Sequence, residues 1–240
     1  MSNMNRNAQL ITAWCGPIFT GLFAIGGAII GRFIPTLLHP SDPASVFVAN
    51  VVSHDMQIRL GAFIMMLSVC FMAPWGAGIA AQTRQKEGNF PALSYAQLAC
   101  VGCGTAIAMM MAFFWAVMAY RPAEYLPSVV QFAADLAYFM PLFSWPIFSG
   151  WCFLIAVAVL TDDTGNPVYP RWVGYVNIWA GLLYIPGGII LFFKTGPFAW
   201  DGILGLYIPF IAFFLWILVM TWAMIRNINA GQFYTGTPAR

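Results

Sequence analysis

The chain has 240 residues, of which 61% are apolar and only 8% charged, and its formal net charge is +2. Soluble domains carry roughly a quarter of charged residues, so this composition excludes a soluble fold with an ordinary surface. The small, dispersed charge points to no nucleic-acid partner and contains no polybasic lipid-binding run.

Several uninterrupted apolar runs reach the ~20 residues a bilayer-crossing helix needs. Lipid satisfies no backbone hydrogen bond, so spans must be helices or a closed barrel. Continuous rather than alternating hydrophobicity selects helices. The predicted fold is all-α: one polytopic integral membrane domain of about six transmembrane helices plus one or two short interfacial helices.

The polar start, MSNMNRNAQ, leads into a first span over residues 10–34 that is too long for a signal-peptide core and is read as uncleaved. Within it, Gly27-x-x-x-Gly31 permits close approach of another helix. Next, Ser41 or Asp42 can cap a helix beginning at Pro43. Ala44, Phe47, Val48, Val51 and Val52 then fall on one face, which predicts an interfacial amphipathic helix over 43–55. The second span covers 58–81 and the third 96–120. The third contains Cys100-Val-Gly-Cys103, whose neighbours Gly102, Gly104 and Ala106 favour packing over redox or metal chemistry.

The stretch 128–160 is too long for one crossing and holds Pro141 and Pro146. It divides into an interfacial helix over 128–140 and a fourth span over 141–160. After the loop TDDTGNPVYPR come a fifth span over 172–193 and a sixth over 203–225. An even number of spans puts both termini on one side. Six Lys/Arg on that side against four on the other favour cytoplasmic termini.

The last two spans share a word: LYIPGGIILFF at 183–193 and LYIPFIAFFLW at 206–216. Pro186 stands eight residues before Lys194 and Pro209 eight after Asp201, so each lies about 12 Å below the same, outer face. Proline frees backbone carbonyls where there is no water. Tyr184, Tyr207, Ser144 and Ser149 are placed to satisfy them. The expectation is an aromatic-walled pocket in the outer half between the last three spans, with Arg59, Ser144, Trp145, Tyr184 and Tyr207 as ligand-binding residues. Kinks that merely improve packing would produce the same pattern.

Among the eight carboxylates, Asp135 is unusual because it stands in apolar QFAADLAYF. Asp55 and Arg59 are spaced to pair on a helix, with His54 beside them. Asp135, His54 and Asp55 are therefore the candidate catalytic acid–base set. No metal or cofactor is called for: neither His39 nor His54 is mid-span, no span centre carries a lysine, and phosphate loops and GxSxG are absent.

Three functional readings follow. The first is a multi-pass protein that binds or moves a hydrophobic or amphipathic small molecule or lipid in the outer-half pocket. The second is a membrane-embedded isomerase- or cyclase-type enzyme acting on a lipid, sterol or isoprenoid. The third is a non-catalytic subunit of a larger membrane complex. The partners expected are the bilayer, a hydrophobic ligand, and further copies of this chain or other membrane subunits.

Overall fold

A computed structural model of the protein describes residues 3–231. Among these residues the secondary structure is helical, without strands, and six helices are long and apolar enough to cross a membrane: Asn5–Ile30, Asp55–Arg84, Ala92–Met118, Pro127–Leu160, Arg171–Phe192 and Ile203–Asn229. The molecule is a multi-pass helical membrane bundle.

The first span comprises α1 (Asn3–Phe23) and a π-helical segment, Ala24–Ile30. A short α2 (Ala44–Ser53) leads to α3 (Asp55–Val69) and α4 (Met72–Arg84), which make the second span. The third is α5 (Ala92–Met118), and the fourth joins α6 (Pro127–Phe143) to α7 (Trp145–Leu160). In the fifth, α8 (Arg171–Leu183) tightens into a 3₁₀ helix over Ile185–Phe192. The sixth opens on a π-helical segment, Ile203–Tyr207, before α9 (Ile208–Asn229).

Successive spans alternate in direction, so the start of α1 and the end of α9 share one face, here the near face; the other is the far face. Near-face contacts tie Arg6 to Asn229 (3.2 Å) and Lys86 to Thr164 (2.9 Å). On the far face His39 pairs with Asp201 at 2.7 Å, and Gln131 donates to the Asp42 carbonyl at 3.1 Å.

Local chemistry explains most element boundaries. Helix α2 starts at Ala44 with Pro43 as its N-cap and no side-chain cap, so neither Ser41 nor Asp42 plays the expected role. Phe47 and Val51 are buried, whereas Val52 is exposed: the buried stripe is narrower than the apolar one, and it packs on α6. The long fourth run breaks at Ser144, between Pro141 and Pro146. In the first span, Gly26 and Gly31 make the close approach, both against Gly61 of α3. A Cβ on Gly61 would lie 2.3 Å from the Gly31 Cα and 2.5 Å from the Gly26 carbonyl oxygen. Gly27 instead faces the Phe23 and Met65 side chains.

At mid-depth Trp75, Trp151 and Trp216 are almost wholly buried and meet edge-to-face, with centroids 5.1–5.7 Å apart. Trp75 Nε1 donates to Thr221 (3.0 Å) and Trp216 Nε1 to Asn177 Oδ1 (2.8 Å), which pins three spans around the cluster.

Candidate functional site

Three of the six spans lose α geometry in their far halves, each for a reason visible in the sequence. Gly26 and Gly27 lie in the π segment of the first, Pro186-Gly187-Gly188 in the 3₁₀ helix of the fifth, and Gly205 and Pro209 flank the end of the π segment of the sixth. Freed carbonyls are then taken up from other helices. The Ser149 hydroxyl donates to the Gly181 carbonyl (2.7 Å), as expected for a hydroxyl placed beside the Pro186 break. Trp115 Nε1 donates to the Gly31 carbonyl (3.3 Å), and the Tyr138 hydroxyl to that of Phe33 (2.9 Å).

Directly below these irregular segments is a cavity of about 60 Å³. Every span contributes to its wall: Phe23, Met72, Met111, Trp145, Tyr184 and Phe210 represent them in order, and Pro141 and Pro209 border it at the kinks. Sequence reasoning expected a wall from the last three spans alone; the first three join it because α1, α4 and α5 close the ring. Gly188 seats one side of this wall, since a Cβ there would fall 2.2 Å from the Trp145 indole nitrogen.

Of the expected ligand-binding residues, Trp145 and Tyr184 line the cavity. Ser144 caps the junction of α6 and α7, Tyr207 packs beside the core, and Arg59 is paired with Asp55 at 2.5 Å; none of the three is in the wall. Tyr184 is 4% exposed, and its hydroxyl has no hydrogen-bond partner, contrary to the expectation that it would satisfy a freed carbonyl. The Cys152 thiol, at most a weak hydrogen-bonding group, lies beside it. Among the described residues no charged side chain borders the cavity. It is an apolar, aromatic space edged by one unpaired hydroxyl.

Asp135 is half-buried toward the far face and accepts a 2.9 Å hydrogen bond from Trp200 Nε1. Trp200 stacks on Tyr138 at 4.1 Å, and Tyr138 stacks on Phe33 at 4.5 Å, so this acid caps a three-ring pile. His54 lies at the α2–α3 junction, where its Nδ1 meets the Asn50 carbonyl (3.0 Å) and the Ser53 hydroxyl (2.9 Å). Asp55 is occupied by Arg59. Among the described residues no hydrogen bond or ion pair joins Asp135 to His54 or Asp55, and no three His, Cys, Asp or Glu side chains gather as metal ligands.

The structure also shows polar groups that sequence reasoning passed over. Near the near face, the Tyr169 hydroxyl donates to Gln82 Oε1 (2.9 Å), which also accepts from Asn227 Nδ2 (3.2 Å). Burial pushes the Tyr169 phenol well above its usual range. In the same loop, partial burial would raise the Asp162 carboxyl. Hydrogen bonds from Thr164 and the Val168 N–H, with the Lys86 charge nearby, nevertheless hold it below its ordinary value. The only sequence signal for this network was a tyrosine between prolines in an otherwise polar loop.

No protein-family model, no curated protein and no solved structure matches the chain.

Proposed function

We propose that the protein binds a hydrophobic or amphipathic small molecule or lipid in the far-half cavity. One observation carries this reading: an apolar, aromatic hollow lies where three spans abandon α geometry, and all six spans wall it. π-helical segments recur at functional sites because a wider turn re-aims side chains at the expense of stability. A neutral wall suits an uncharged ligand, and the unpaired Tyr184 hydroxyl suits a ligand with one hydrogen-bonding group.

At about 60 Å³ the space admits one end of such a molecule. Pockets for whole drug-sized ligands measure roughly 300 Å³ or more, so full occupancy requires wall side chains to move. Met72 and Met111 are suited to this, because an unbranched thioether changes rotamer at little cost. Asp135 stands apart from His54 and Asp55 in the hydrogen-bond network, which favours binding over acid–base turnover. Among the described residues the near face carries Arg6, Arg84, Lys86, Arg171 and Arg226 against Arg32, Arg59, Arg121 and Lys194 at the far face. That excess favours a cytoplasmic near face and hence an outer-half pocket.

The test is mass spectrometry of protein purified in mild detergent, comparing wild type with Ala108→Phe, which fills the cavity from α5. The expected result is a co-purifying apolar molecule that Ala108→Phe loses while melting cooperatively. Equal retention by both proteins, or no retained molecule in wild type, refutes the reading.

A further inference from the structure

A second concavity lies at the near face, between the 161–170 loop and the end of α9. Its volume is about 260 Å³, against about 60 Å³ for the central cavity. Pro167, Val168 and Pro170 form one wall, and Ala223, Arg226 and Asn227 form the other. We infer that this cleft seats the phosphate group of an anionic phospholipid from the near leaflet.

Depth comes first. Trp172 and Trp222 pair at 5.3 Å and both project outward, 44% and 46% exposed, at the near-face ends of the last two spans. Exposed tryptophans at the ends of spans mark the level of the lipid headgroups. The Arg226 guanidinium lies over the Trp222 ring, 5.5 Å from its centroid, which holds the cation at that same level.

Charge comes second. Among the described residues Arg226 is the only charged one lining the cleft, and no carboxylate lies within ion-pairing distance of it. In the same loop the Asp162 carboxylate is already engaged by the Val168 N–H (3.0 Å) and by the Thr164 N–H (3.1 Å) and hydroxyl (2.6 Å). Stacking on Trp222 leaves the planar edge of the guanidinium, with its forked N–H donors, for an oxyanion.

The third observation concerns Asn227. It is 4% exposed and lines the cleft, yet among the described residues its Oδ1 has no partner, nor has Nε2 of the adjoining Gln82. Amide oxygen and nitrogen are nearly equal in shape, and the Tyr169 hydroxyl can donate or accept. Turning both amides over together therefore keeps the Tyr169–Gln82 and Gln82–Asn227 hydrogen bonds with their roles exchanged. The turned state leaves Asn227 with a spare N–H one residue along the helix from Arg226; that atom is closed to solvent, so a phosphate oxygen reaches it only when the loop wall shifts. In either state one polar atom of this buried carboxamide lacks a protein partner, as expected where a ligand supplies it.

The experiment incorporates the full chain into nanodiscs containing equal phosphatidylglycerol and phosphatidylcholine, and counts retained lipid by native mass spectrometry. Wild type is expected to keep one phosphatidylglycerol with a preference of roughly fivefold, because both lipids carry the same phosphate but only phosphatidylcholine adds a cation that is repelled by Arg226. Arg226→Gln should bring that preference close to unity. Arg84→Gln, which removes an exposed near-face cation outside the cleft, should leave it unchanged. Should Arg226→Gln fail to fold, Ala230→Trp decides, because it obstructs the cleft from an exposed position and should abolish retention. Equal binding of the two lipids by wild type, equal losses in Arg226→Gln and Arg84→Gln, or displacement of the lipid by millimolar inorganic phosphate would each overturn the assignment. Since Ala108 is remote from this cleft, the test is independent of the fate of the central cavity.

Discussion

The near half of the bundle is knit by buried side-chain polar networks, whereas in the far half ring contacts surround a void and the polar pairs, such as His39–Asp201, Trp200–Asp135 and Tyr138–Phe33, lie outside its wall. Near the near face, Thr83, Ser94 and Gln97 interlock, Glu87 takes the Leu93 and Ser94 N–H groups at the start of α5, and Gln82 joins Tyr169 to Asn227. In the far half, Phe19, Phe23, Phe210, Phe213 and Phe214 meet at 5.1–6.2 Å around the cavity. Buried hydrogen bonds are directional and costly to leave unmade, so they hold one arrangement. Ring contacts are worth less individually and survive small rotations. The contrast assigns rigidity to one half and adaptability to the other, which is the division a binding bundle needs.

The sharpest break of this contrast comes from large-to-small substitutions on either side of it. Trp216→Ala, which empties the middle of the tryptophan cluster and removes the partner of Asn177, should cost about 3–5 kcal/mol. Phe213→Ala, half-buried beside an existing void, should cost no more than the low end of that range, about 3 kcal/mol. Thermal unfolding in one detergent compares the two; equal losses would remove the distinction. A smaller effect, about 1–3 kcal/mol in all, is expected from Gln82→Leu, which strands the Tyr169 hydroxyl and the Asn227 amide but also removes the buried, unpaired Gln82 Nε2. Hydrogen exchange should show that loss concentrated in the 161–170 loop and the end of α9.

Acid should loosen the near face by a still smaller amount. The Asp162 carboxyl is held below its ordinary value in the folded protein, so its stabilisation is complete above the ordinary carboxylate range of about pH 4 and is lost as pH falls through the lowered value. A melting temperature that drops less for Asp162→Asn than for wild type on acidification confirms the sign. Smallest of all is Tyr184→Phe: removing a buried hydroxyl that lacks a partner should leave stability within about 0.5 kcal/mol or raise it slightly. A loss of 1 kcal/mol or more would mean that the hydroxyl is paired in the folded protein, and would weaken its role as a ligand contact.

Much of the architecture can be read directly from residue order. Six spans, the short helix after Pro43 and the break between Pro141 and Pro146 all follow from local rules of hydrophobic length, period and proline chemistry. The depth of the hollow was also legible, because Pro186 and Pro209 can be counted from the ends of their spans. Which glycines touch was not: Gly27 fits the motif, yet Gly26 and Gly31 meet Gly61, because the π segment rotates the helix face. Nor was the partner of Asp135, since Trp200 lies 65 residues away in a connection that reads as a tight loop. The ring of six walls, and the exclusion of Ser144, Tyr207 and Arg59 from it, likewise depend on how spans rotate about their axes.

Hydrophobic transfer is a sum over residues taken one at a time, so composition and run length alone establish a membrane bundle of this size. Whether a given polar atom is paired or left over is a relation between residues far apart in the chain, and only packing settles it. Tyr184 and Ser149 look alike in the sequence, each a hydroxyl beside a proline break. In the folded bundle one satisfies the Gly181 carbonyl and the other stands without a partner at the edge of the cavity.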